Sequence, residues 1–148
     1  MSVVITMTTL DEIVEIFELL GDWDQRYAYL TEVGENLPEI PEADKVDENK
    51  VKGCMSQVWV VAEMKQGVIT FKGDCDSSII KGVLAVLIEL TNNRQLDEIE
   101  RLDVDEFFER LQLDEHLSPN RHVGVYAIVD LMKKKARVLD TGEPIAVA

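Results

Sequence analysis

Hydrophobic positions along the chain alternate between two periods. Ile13, Ile16, Phe17 and Leu20 fall on one helical face, and Thr9-Leu10-Asp11-Glu12 before them forms a capping box. Gly21 ends that helix. Asp22 caps a second, with Gln25 three residues on and a stripe of Trp23, Tyr27, Leu30 and Val33, and Gly34 marks its end. Trp23 and Tyr27 suit a core or the lining of a pocket. From Leu37 to Asn49 the period is lost, Pro38 and Pro41 intervene and acidic residues accumulate, so this reads as a long surface connection, either simply solvated or touching a partner.

The period then shortens to two. Lys50-Val51-Lys52 predicts a short strand, Gln57 to Lys65 a second and Val68 to Lys72 a third, with Gln66-Gly67 as the tight turn between the last two. Helical spacing returns at Ile79, Ile80, Val83, Leu84, Leu87 and Ile88, a face broad enough for a central helix, ended by Asn92-Asn93. Leu96 and Ile99 give a short helical turn. Asp103 caps a helix carrying Phe107, Phe108 and Leu111, and after Leu117-Ser118-Pro119-Asn120 a last helix runs to about Leu139. The whole predicts an α+β fold: two N-terminal helices, a small three-stranded antiparallel sheet, and helices packed on one of its faces. Residues 1–148 read as one domain, with 1–7 a loose arm and 140–148 a disordered tail.

Charge narrows the classes of partner. The formal net charge is -14, which argues against nucleic acid or an anionic membrane and favours a partner with a basic docking face. Two cysteines make no disulfide framework and fit a reducing compartment. The first seven residues lack the basic start of a signal peptide, and no run approaches the ~20 apolar residues of a membrane span. The chain reads as a soluble cytoplasmic protein.

Cys54 is the candidate for chemistry. Gly53 before it permits a tight turn, and Val58-Trp59-Val60 after it is a strand, so the thiol sits at a turn tip. A thiolate is the nucleophilic form, and something must favour it. Lys50 and Lys52 are placed to help or merely balance an acidic surface, and the N–H groups of Met55, Ser56 and Gln57 suit a cradle. Met55, Val58 and Trp59 are placed to shelter the sulfur. If Gln66-Gly67 is the turn, Cys75 faces Val58, ~13 Å along the strand from Cys54. That exceeds the ~7 Å limit for a disulfide without loop motion. His116 and His122 have no zinc-motif spacing, and no nucleotide, pyridoxal or Ser-His-Asp signature is visible, so no cofactor is expected.

Three ordered blocks carry a family resemblance. Gly53-Cys54-Met55-Ser56-Gln57-Val58-Trp59, Gly73-Asp74-Cys75-Asp76-Ser77 through Lys81-Gly82, and His116-Leu117-Ser118-Pro119-Asn120-Arg121 resemble signature segments of the SufE proteins, sulfur acceptors of iron–sulfur cluster assembly. The resemblance runs from about Leu10 to Leu139 and departs at Met55, often Gln in that family, and Cys75, often Ser. It implies a SufE/NifU-like fold, although the three cysteines of the related cluster scaffolds are lacking.

The resemblance also implies a function. Cys54 would take persulfide sulfur from a pyridoxal-phosphate-dependent cysteine desulfurase (SufS-like or CsdA-like), stimulate that enzyme, and pass the sulfur to a scaffold (SufBCD-like). The chain is itself no desulfurase. Gly53, Ser56, Gln57, Asp76 and Arg121 become supporting or partner-binding candidates. Arg121 alternatively pairs with an acidic neighbour, and Asp74 and Asp76 alternatively cap a helix. Two other readings stay open: a two-thiol redox protein using Cys54 and Cys75, and a docking protein that activates its partner without carrying sulfur.

Overall fold

The computed structural model describes residues 8–142. Helix α1 (Leu10–Leu20) starts where Thr9 accepts the Glu12 N–H, and α2 (Trp23–Glu35) where Asp22 accepts the Gln25 N–H at 2.9 Å. Strands β1 (Val58–Lys65) and β2 (Val68–Cys75) form an antiparallel hairpin. Five helices follow: α3 (Ser78–Thr91), α4 (Leu96–Glu100), α5 (Val104–Leu111), the single turn α6 (Leu113–His116) and the long α7 (Pro119–Thr141).

The register pairs Val58 with Cys75, Val60 with Gly73, Ala62 with Phe71 and Met64 with Ile69. Successive strand residues point to opposite faces, so these pairs share one face. Val58, Val60, Ile69, Phe71 and Cys75 are buried there, where α3 packs on β2 and α7 on β1. The other face carries Lys72 and Glu63. Helix α3 is buried nearly all round, from Ile80 to Leu90 excepting Lys81 and Glu89, and forms the centre of the core.

Among the described residues the sheet has two strands, not the three expected. Lys50 makes only an isolated bridge to Trp59, and the Val51 N–H donates to the Val58 carbonyl at 2.8 Å. A 3-10 turn at Asp47–Asn49 uses the residues before, and Gly53 at φ +85° turns the chain directly after, so no length is left for a strand. The hairpin lengthens instead: β2 continues past Lys72 to Cys75. Its outer edge is covered by the turn after α3. The Ile69 N–H donates to the Arg94 carbonyl at 2.9 Å, and the Phe71 N–H to Asn92 Oδ1 at 2.7 Å. Helix α7 reaches Thr141 and is capped by Gly142 at φ +72°, so Asp140 is helical where a loose tail was expected. The expected arm at 1–7 and the rest of the tail, 143–148, lie outside the described residues.

Gly34 lies in the last turn of α2, which ends one residue later at Glu35, and it is buried there. A Cβ at Gly34 would meet the Gly82 nitrogen at 2.8 Å, and one at Gly82 would meet the Leu30 carbonyl oxygen at 2.1 Å. The two glycines bring α2 and α3 into backbone contact, which outweighs the cost of about 1 kcal/mol for glycine within a helix. Gly82→Ala is therefore expected to destabilise the fold by about 3 kcal/mol despite alanine's higher helix propensity. Urea unfolding measures it, and a midpoint at or above that of the parent would refute the close-packing account.

Candidate functional site

Residues 52–57 form a loop at the open end of the hairpin, opposite the Gln66-Gly67 turn. Its base is closed by the Val51–Val58 hydrogen bond. Its far end is tied twice to the residue after β2: the Gln57 N–H donates to Asp76 Oδ1 at 3.0 Å, and the Asp76 N–H donates to the Gln57 carbonyl at 3.1 Å. Asp76 thus secures the loop and does not cap α3. The N-cap is Ser77, without a side-chain capping bond.

Cys54 is half-buried in this loop and packs against the hydrophobic core. It opens on a cleft of about 440 Å³ lined by Met55 and Ser56 from the loop, Ser77 and Ile80 from the start of α3, and Ser118, Asn120 and Arg121 from the start of α7. Three segments far apart in sequence, the same three that carry the family resemblance, therefore meet at one thiol. Both helices point their N-termini at the cleft, and unsatisfied N–H groups there carry partial positive charge. The Arg121 guanidinium adds a full charge and makes no ion pair among the described residues, so the acidic neighbour considered for it is absent. In a molecule of net charge -14 this is a local setting that suits an anion.

Other candidates lie elsewhere. Lys50 and Lys52 do not line the cleft, and Lys52 pairs with Asp47. Their proximity in sequence is undone by the turn at Gly53. Met55 lines the cleft but is 82% exposed, Val58 belongs to the core, and Trp59 lies on the opposite face of the sheet with Lys45 over its ring at 5.5 Å. The cover over the sulfur comes from Gly124 of α7: a Cβ there would lie 2.7 Å from Cys54 Sγ. Sequence reasoning passed over Gly124, because a residue without a side chain adds nothing to a hydrophobic pattern. The Gln57 N–H is committed to Asp76 and is unavailable to a cradle around the thiolate.

Asp74 organises the approach to the loop. Burial pushes its carboxyl up, but the Cys75 N–H at 2.8 Å and the ammonium groups of Lys45 and Lys81, each at 3.3 Å, outweigh this and hold it below the ordinary carboxylate value. The same node ties the 37–49 connection to α3.

The two histidines are occupied in packing. His116 stacks on Trp23 at 3.7 Å and its carbonyl accepts the Tyr27 hydroxyl at 2.6 Å. His122 stacks on Phe108 at 4.7 Å. Trp23 and Tyr27 thus cover the segment leading into α7. Among the described residues no three metal-ligating side chains are grouped. A second cleft, about 320 Å³, contains Arg94, Arg101 and Arg110, each paired with an acid.

Cys75 faces Val58, as the turn predicts, and is buried outside the Cys54 cleft. Its sulfur accepts the Ser77 N–H at 3.4 Å. Burial first, then the charges of Asp76, Cys54 and Asp74, push its thiol from 9.0 up to about 11. Both cysteines are free thiols.

Comparison with known proteins agrees with this geometry. The chain matches SufE, the Fe-S metabolism associated domain, over residues 11–136. An uncharacterised SufE-like protein of Rhizobium meliloti is 38% identical over 134 residues, 88% of this chain and 96% of the relative. A similarly described protein of Rhizobium etli is 37% identical over 136 residues, 89% of this chain and 92% of the relative. The solution structure of a hypothetical protein from Thermus thermophilus shares the fold, with a TM-score of 0.75 at 20% identity over 89% of this chain and 96% of the other. The chain belongs to the SufE family, and membership brings a role in iron–sulfur metabolism and an association with sulfur-mobilising machinery.

The Cys75 shift carries a pH dependence. Folded protein keeps this proton up to about pH 11, while the unfolded chain releases it near 9. Between these values the native state binds more protons, so its stability falls as pH rises. Replacing Cys75 by Ser is expected to remove on the order of 2 kcal/mol of stability loss between pH 8 and 11. Urea midpoints of both proteins across that range measure it; parallel curves would contradict the assignment.

Proposed function

We propose that this SufE-like domain accepts sulfur on Cys54 from the persulfide of a pyridoxal-phosphate-dependent cysteine desulfurase, SufS-like or CsdA-like. The observation that carries this reading is the placement of a half-buried, loop-borne thiol in a cleft faced by two helix N-termini and an unpaired guanidinium. The Cys54 thiolate attacks the terminal sulfur of the donor persulfide. One S–Cys54 bond forms, the donor's S–S bond breaks, and the donor leaves as a thiolate, so no outside oxidant or reductant takes part. The S–S bonding pair leaves with the donor sulfur, and the proton on the transferred sulfur is released to solvent, so Cys54 carries an anion before and after, and Arg121 with the two helix ends favours either. Clearing the donor's persulfide frees it for another turnover and so stimulates it.

The sulfur then passes from Cys54 to an iron–sulfur scaffold of SufBCD type, in the reducing cytoplasm. Gly53 supplies the turn that displays the thiol, Ser56 lines its cleft, and Gln57 with Asp76 forms the latch. The neutral, buried Cys75 speaks against the two-thiol cycle, because a protonated thiol outside the cleft is a poor resolving group.

Mixing the protein with a desulfurase, its cofactor and cysteine is expected to add about 32 Da per sulfur, mapped to Cys54 by intact and peptide mass analysis. Cys54→Ser should abolish the gain and Cys75→Ser should keep it. Loss of the gain in Cys75→Ser would favour the two-thiol reading, and full stimulation by Cys54→Ser the docking reading. Asp76→Ala removes one hydrogen bond of the latch, and hydrogen exchange in residues 52–57 should accelerate about ten-fold. Unchanged exchange would show that the latch lies elsewhere.

A further inference from the structure

Gly124 stands inside α7, yet no turn or left-handed backbone calls for a glycine there. The vacancy beside it is specific. The three atoms nearest to a Cβ built at Gly124 all belong to Cys54: Sγ at 2.7 Å, Cβ at 3.6 Å and Cα at 4.0 Å. At Gly34 and Gly82 the corresponding space is closed by the facing helix, and at Gly73 by the Trp59 carbonyl and Leu84. Only Gly124, among the described glycines, has its missing side chain replaced by a thiol.

We propose that Gly124 is a positioning residue, a seat that holds the idle Cys54 sulfur against α7, and that filling the seat displaces Cys54 outward. The purpose assigned to the seat rests on the sulfur-acceptor reading; the seat itself does not.

The helix and the loop differ in which can yield. Helix α7 is fixed along its length: Tyr126 donates to Asp105, Lys133 to the Leu102 carbonyl at 2.6 Å, Lys135 to Asn49 Oδ1 at 2.6 Å, and Arg137 pairs with Glu100 at 2.5 Å. Among the described residues the loop at 52–57 is hydrogen-bonded only at its ends, with Cys54 alone packing inward from its middle. Nothing lies within 4 Å of the Cβ position of Gly53, and Met55 is already 82% exposed. A methyl group at position 124 therefore moves the thiol, not the helix. The same contact decides where cargo goes. A second sulfur, bonded about 2.05 Å beyond the first, finds α7 in the way and has to lie on the cleft side, toward Ser77, Ser118 and Arg121.

The test is Gly124→Ala, in the otherwise unaltered chain, followed by peptide-resolved alkylation with iodoacetamide. Cys54 is expected to react roughly ten-fold faster than in the parent while the buried Cys75 keeps its rate. An unchanged Cys54 rate in a folded variant overturns the proposal. So does a joint rise of both thiols, which signals general loosening. If Gly124→Ala fails to fold, Cys54→Ala combined with it decides. Restored folding locates the clash at the sulfur and supports the seat; continued misfolding places it elsewhere and overturns it. Parent protein in the sulfur-loading assay separates the two ideas. A flat alkylation rate beside a normal 32 Da gain retires the seat alone, and a missing gain retires the acceptor reading alone.

Discussion

The double tie between Gln57 and Asp76 sets the geometry of everything around the thiol. It continues the β1–β2 ladder one step beyond the Val58–Cys75 pair, with a carboxylate supplying one of the two bonds. The Cys54 loop consequently hangs from the open end of the hairpin, and α3 must start at that same end, because Ser77 follows directly. Helix α7, packed along β1, brings its own N-terminus to the place. A short antiparallel ladder thus acts as a ruler that aligns two helix ends with one sulfur.

Charge is distributed to the same purpose. The chain carries 29 acidic and 15 basic side chains, and most lysines and arginines near the loop are neutralised by partners. Lys45 and Lys81 are spent on Asp74, and Lys52 on Asp47. Arg121 is left over, at the mouth of the cleft. An unpaired guanidinium at the cleft gives the thiol a different electrical setting from the acidic surface around it, whereas Cys75 is buried and its thiol is pushed up by desolvation.

Much of this was legible in the sequence, and the limits have physical causes. Helix starts at Thr9, Asp22 and Asp103 were readable because a capping side chain acts within three residues of itself. The Gln66-Gly67 turn fixed the register and put Cys75 opposite Val58. Cys54 stood out as a candidate through the ordered blocks, not through spacing. What failed were inferences from closeness in sequence. Lys52 looked like a helper to Cys54, but a positive-φ glycine between them turned it toward Asp47. Met55 looked like a cover and faces solvent. Lys50-Val51-Lys52 had the composition of a strand, yet lacked room between two turns. The true cover, Gly124, lies nearly half the chain away and carries no side chain to announce itself.

The crossing of α2 and α3 has a consequence for how this chain can diverge. Positions 34 and 82 face each other across backbone contact, and neither has space for a methyl group. A substitution at one cannot be offset by shrinking the other, since both are already at the minimum. The pair is a dead end for stepwise drift: any descendant that enlarges either residue must first re-angle a whole helix.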